Sequence, residues 1–105
     1  MCNTRTLSQN NSVLICHCTE CKVIYIWNVN LLLSLVPEDF SAFQRMLHKL
    51  DFEDCAFPFP DNNSRIIIKT PNPDISFTFT EDEWDEFNEA INEASYMQEV
   101  YALMR

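Results

Sequence analysis

Residues 33–47 read LSLVPEDFSAFQRML and residues 77–91 read FTFTEDEWDEFNEAI, and the two stretches lie on each other at a shift of 44 without a gap. Apolar side chains meet at Leu33/Phe77, Leu35/Phe79, Phe40/Trp84, Phe43/Phe87 and Leu47/Ile91. The correspondence continues upstream, with Val23-Ile24 over Ile67-Ile68 and Leu31 over Ile75, so the repeated unit covers residues 21–50 and 65–94. A repeat at fixed spacing organises the whole chain and takes precedence over local readings.

Each unit reads strand, tight turn, strand, helix. In the second, Ile66-Ile67-Ile68-Lys69 is short and β-branched, as strands prefer. Pro71-Asn72-Pro73-Asp74 makes the turn, with Asn72 expected to take the left-handed backbone angles that glycine usually supplies. Ile75, Phe77 and Phe79 alternate with Ser76, Thr78 and Thr80, the period of a half-buried strand. Thr80 followed by Glu83 is a capping box that starts a helix at Glu81. In the first unit Val36 takes the cap position and Pro37 the first helical position, where a missing N–H does no harm. The second helix places Trp84, Phe87, Ile91, Ala94, Met97, Tyr101 and Met104 at spacings of three and four, and runs to about residue 104.

Residues 12–18 read as one extra strand, and residues 51–64, with Phe57-Pro58-Phe59-Pro60, as an extended connection. The predicted fold class is therefore α+β: one domain, with an antiparallel sheet of about five strands and two helices on one face, built from two ββα repeats.

The two units differ on the face away from the core. The second shows Arg65, Ile67, Lys69, Ser76, Thr78 and Thr80 there, suited to water. The first shows Val23, Tyr25, Trp27 and Leu32, with Cys21, Ser34 and Val36 beside them. A sheet apolar on both faces must be covered on both. The expected cover is a second copy or another protein at Val23, Tyr25, Trp27 and Leu32; the alternatives are residues 1–11, or Phe57 and Phe59.

Composition removes several function classes. The 105 residues contain no glycine, which excludes phosphate-cradling P-loops, the G-x-G-x-x-G dinucleotide turn and the G-x-S-x-G nucleophile elbow. Sixteen acids against seven Lys and Arg give a formal charge of −9, with −7 of it in residues 81–105, so a nucleic-acid partner is not expected. The carboxylates Glu38, Asp39, Glu81, Asp82 and Glu83 sit at helix starts, where the helix dipole favours them without any catalytic role. Two histidines and no Ser–His–Asp or Cys–His–Asn set argue for a protein that is not an enzyme. Neither a signal peptide nor a run long enough to span a bilayer is legible, so cytoplasmic location without membrane contact is expected.

Chemistry-bearing residues concentrate in Cys16-His17-Cys18-Thr19-Glu20-Cys21, at the turn after the extra strand. Cys18-x-x-Cys21 has the spacing with which two thiolates reach one tetrahedral ion, and Cys16 shares a strand face with Cys18. Zinc held by Cys16, Cys18 and Cys21 is the alternative function, with Cys2, His48 or Cys55 as fourth ligand; no other cofactor is expected. Five cysteines, an odd number, fit reduced thiols or metal ligands better than a disulfide framework. A thiol-exchange enzyme is the remaining option, although an exchanging C-x-x-C normally opens a helix.

Cys18-x-x-Cys21, the strand after it, Asn28, the Leu31-Leu32-Leu33-Ser34-Leu35 strand and Glu38-x-Phe40-x-x-Phe43 together resemble a family of small uncharacterised bacterial proteins of the Bacteroidetes type. The resemblance implies a single α+β domain without an assigned activity and supplies no catalytic residues. Where those proteins place a glycine in the first hairpin, this chain has Asn28, which tolerates the same geometry.

Overall fold

Three short antiparallel strands with apolar alternation begin the ordered core: β2 (Val13–Cys18), β3 (Val23–Asn28) and β4 (Leu31–Leu35). Val13, Ile15, Ile24, Ile26 and Leu35 point to one side and are buried. The computed structural model describes residues 3–104. A fourth strand that the sequence reading did not foresee, β1 (Thr4–Gln9), pairs along β2, giving a meander in the order β1-β2-β3-β4. Its register slips between Thr6 and Ser8, a bulge that turns both Leu7 and Ser8 inward.

After β4 come α1 (Pro37–His48) and a single helical turn, α2 (Phe52–Cys55), capped by the Asp51 carboxylate on the Glu53 N–H. A two-residue strand, β5 (Phe57–Pro58), then leads to β6 (Ser64–Lys69) and β7 (Ser76–Phe79). These three form a sheet of their own, β5-β6-β7. The fold is α+β, but the expected single sheet of about five strands is instead one of four and one of three. The N-terminal strand occupies the outer edge of β2, and the proline-interrupted β5 closes one edge of β6 after two residues.

The order strand, strand, helix does recur, but not at a gapless shift. Leu35 and Phe79 stand opposite Ile24 and Ile66, and Leu33 and Phe77 opposite Ile26 and Ile68. The second strands are therefore offset by 44 and the first strands by 42, because the chain from Lys69 to its partner Ser76 is two residues longer than that from Trp27 to its partner Leu32. The helices differ too: α1 has 12 residues and α3 (Glu81–Leu103) has 23.

Helix starts follow the sequence. Val36 caps α1 with Pro37 at its first position, and Thr80 and Glu83 close a reciprocal capping box on α3. Helix α3 packs against α1 and both sheets, while α1 lies on β3 and β4. Phe87, fully buried, is the hub: its ring centroid is 6.2 Å from Phe43 of α1, 5.1 Å from Phe77 and 4.8 Å from Phe79. Between the helices, Gln44 Nε2 donates to Asn92 Oδ1 at 3.3 Å and Ser95 Oγ donates to Gln44 Oε1 at 3.0 Å. The β1–β2 turn is tied down by Ser12 Oγ, which donates to Glu86 Oε2, and by Asn10 Nδ2, which donates to the Glu86 carbonyl. Arg5 lays its guanidinium 4.8 Å over the Tyr101 ring, fastening the edge strand to the far end of α3.

With no glycine available, left-handed backbone falls on Lys22 (φ 56), Val29 (φ 55) and Asn62 (φ 67). The expected positions, Asn28 and Asn72, are not among them. Asn28 ends β3 in pairing with Leu31, and Asn72 instead accepts the Asp74 N–H on its side-chain oxygen, an Asx turn that needs no positive φ. Val29 is the costly case, because a β-branched side chain crowds its own backbone there by about 1–2 kcal/mol. Its side chain is exposed, so truncation forfeits little packing. Val29→Gly should therefore raise the urea midpoint by an amount worth about 0.5–1 kcal/mol, after the extra chain entropy of glycine is subtracted. An unchanged or lowered midpoint would contradict the strain.

Candidate functional site

Residues directly opposite on paired strands share a face, so the register fixes the composition of the side that α1 and α3 do not cover. It carries Thr4, Thr6 and Gln9 from β1 and Leu14, Cys16 and Cys18 from β2. From β3 and β4 come Val23, Tyr25, Trp27, Leu32 and Ser34. None of these residues is charged. The structure places Val23, Tyr25, Trp27 and Leu32 together here, as the alternation of the sequence implies. Val23 and Tyr25 are half-buried among their neighbours, whereas Trp27 is 51% and Leu32 53% exposed.

Trp27 and Leu32 stand opposite each other, with Leu14 on the far side of Trp27. Val36, just past β4, and Val29, at the hairpin tip, extend the apolar surface and are also exposed. Leu14 and Val29 were not singled out in the sequence; the alternation Val13-Leu14-Ile15 carries the signal for Leu14, and nothing local marks Val29. At the rim, beside the β1–β2 turn, Gln9, Asn10, Ser12, Leu14, Trp27 and Val29 line a shallow cleft of about 340 Å³. The Val29 N–H donates to the Ser12 carbonyl and joins the two turns that flank it.

Neither internal cover foreseen for this face is realised among the described residues. Residues 4–9 extend the sheet as an edge strand instead of folding over it. Phe57 pairs into the second sheet opposite Arg65 and stacks on Phe59 at 5.3 Å, with Phe57 itself exposed.

The cysteines divide. Cys16 lies mid-strand opposite Tyr25 and is half-buried, Cys18 ends β2 and is fully buried, and Cys21 is exposed in the following turn. The expected meeting of three sulfurs does not occur: among the described residues no group of three or more His, Cys, Asp or Glu side chains gathers where it could hold a metal. The reason is strand geometry, since Cys16 is two residues, about 6.6 Å, back from Cys18 along an extended chain. The pair Cys18 and Cys21 is close, with the Cys21 N–H donating to Cys18 Sγ at 3.4 Å. His17 lies opposite Ile24, on the helix side of the sheet. His48, at the end of α1, sits 3.5 Å from Gln44 Nε2, and Cys55 is exposed at the end of α2. Cys2 lies outside the described residues.

The second sheet resolves its outer face differently. Arg65 forms ion pairs with Asp61 at 2.8 Å and Glu83 at 3.3 Å and donates to the Thr78 carbonyl. The Arg65 hydrogen bond, joined by the Asn63 backbone N–H, holds the Asp61 carboxyl down to about 2, and the same pairing raises the Arg65 guanidinium. That face is charged and solvated where the first sheet is neutral and apolar.

A model described as a family of unknown function (DUF6686) matches residues 1–104. No curated protein and no solved structure matches the chain. Among the described residues no helix is long and apolar enough to cross a membrane.

Asp61 provides a pH test. Its folded value lies below its ordinary 3.8, so the ionised carboxylate is the favoured form. Its contribution to stability is complete above about pH 4 and is lost as pH falls through 2. Carboxyl chemical shifts should titrate with a midpoint near 2 for Asp61, returning toward 3.8 in Arg65→Gln. A midpoint near 3.8 in the unmodified protein would refute the pairing.

Proposed function

The chain belongs to this family of unknown function, and we propose that it is a small, cytosolic, non-enzymatic protein-interaction module that pairs with a second copy of itself through the uncovered face of the four-stranded sheet. One observation carries the reading: Trp27 and Leu32, directly paired, are each about half exposed on a face without charge. Leaving such side chains in water forgoes roughly 25 cal/mol for every Å² of apolar surface that a partner would cover.

Charge selects the occupant. The molecule carries −9 overall, and α3 holds eight of the sixteen acids. Two copies repel through most surfaces, but the outer side of β1–β4 contributes nothing to that repulsion. A two-fold pairing uses the same patch twice and needs self-complementarity, which a neutral array of Leu14, Tyr25, Trp27 and Leu32 provides. The strained Val29 supports the same reading, because an exposed valine is kept where asparagine or glycine would cost less.

Size sets the strength. Four strands about 4.8 Å apart and six residues at about 3.3 Å each give a footprint of roughly 400 Å². That is half of the roughly 800 Å² per partner typical of stable complexes, so the expected dimer is a micromolar one.

Sedimentation velocity from about 1 to 100 μM should show a dimer growing in with concentration. Trp27→Asp, at a half-exposed position, should weaken it by about tenfold or more while leaving the far-ultraviolet spectrum unchanged. A monomer throughout that range, or a dimer indifferent to the substitution, would end the proposal.

A further inference from the structure

The turn between β2 and β3 has three features that a plain connecting loop does not require. Cys18 is fully buried although it is the last residue of its strand. Its sulfur accepts the backbone N–H of Cys21 at 3.4 Å. Lys22, the next residue, takes φ 56, a conformation that costs a lysine about 1 kcal/mol or more.

A C-x-x-C pair holds one tetrahedral ion only if the chain curls back within three residues, bringing both sulfurs about 2.3 Å from one point. The curl turns a backbone N–H from its second half onto the first sulfur. To leave along the next strand, the chain must then reverse its curvature, which a residue with positive φ accomplishes. The N–H contact is present between Cys21 and Cys18 Sγ, and the positive φ at Lys22.

The geometry points to Cys18 and Cys21 as the thiolate pair of a Zn²⁺ site at this turn. Soft sulfur donors select Zn²⁺ over the hard Mg²⁺ and Ca²⁺. As each sulfur–zinc bond forms, the thiol proton passes to solvent, so uptake releases at least two protons per ion and weakens as pH falls. Cys16, opposite Tyr25 in mid-strand, takes no part. The inference rests on the turn alone and is independent of the sheet face proposed above.

The test uses the full chain, purified with its thiols reduced and titrated with Co²⁺ and then Zn²⁺. The expected result is one equivalent of Co²⁺ with a sulfur-to-metal charge-transfer band, displaced by Zn²⁺. Cys16→Ser and Cys55→Ser should leave uptake unchanged. Cys21→Ser, at an exposed position where folding is not at stake, should weaken it by about 100-fold. Cys18→Ser should do the same, its folding checked by circular dichroism because the site is buried. Failure of the reduced protein to take up an equivalent of either ion, or uptake unaltered in Cys21→Ser, would overturn the assignment.

Discussion

Phe87 is where the molecule is joined. From the first third of α3 its ring meets Phe43 of α1 and both phenylalanines of β7, themselves stacked at 5.1 Å. Aromatic contacts of this kind combine large buried area with a preferred geometry, and removing a ring so placed typically costs about 3–5 kcal/mol. The consequence is architectural. Because α3 must serve Phe77 and Phe79 near its start and β1 and β2 further along, it lies across the same side of both sheets. Helix α1, pinned to it through Phe43 and Gln44, covers β3 and β4 on that side as well. Among the described residues no helix remains for the other side of β1–β4, and that side is the one lined by Tyr25, Trp27 and Leu32.

Absence of glycine shapes the turns in a related way. Among the described residues three positions adopt left-handed backbone, and of these only Asn62 is a residue that tolerates it well. The other two, Lys22 and Val29, immediately precede and follow β3, one at each end of the first sheet's outer face. Both unfavourable conformations thus fall at the places for which a role is argued, the cysteine turn and the apolar tip, while the Asp61–Asn62–Asn63 turn is relaxed and held by ordinary polar contacts. Strain at a site that the rest of the fold could have avoided is a pointer to use.

Much of this was legible in the chain, and the exceptions have identifiable physics. Thr80 with Glu83 and Pro37 fixed both long helix starts, because capping is local chemistry. The alternation in residues 23–27 and 76–79 distinguished inner from outer faces, and the neutral outer side followed from it, whereas Ile75, read as a core residue, lies just before β7 and is exposed. β1 escaped notice because Thr4-Arg5-Thr6 shows no apolar stripe and the bulge at Leu7 breaks what alternation remains. The division into two sheets depends on which edges pair over long range, which no local pattern states. Two extra residues between matched pairs in the second hairpin were invisible to a gapless comparison, since isoleucines at 66, 67 and 68 match either register. Cys16 looked like a ligand because it shares a face with Cys18, yet sharing a face still leaves two sulfurs a full pleat repeat apart.

If the bare side of the first sheet is an interface between copies of this chain, the two tryptophans of one molecule should respond differently to concentration. Trp84, near the start of α3, is buried, and Trp27 is half exposed on the bare side. Following both indole N–H signals by nuclear magnetic resonance as the protein is concentrated should show the Trp27 signal moving or broadening while that of Trp84 stays fixed. A Trp27 signal that stays constant over the whole range would mean that the bare side does not pair with a second copy.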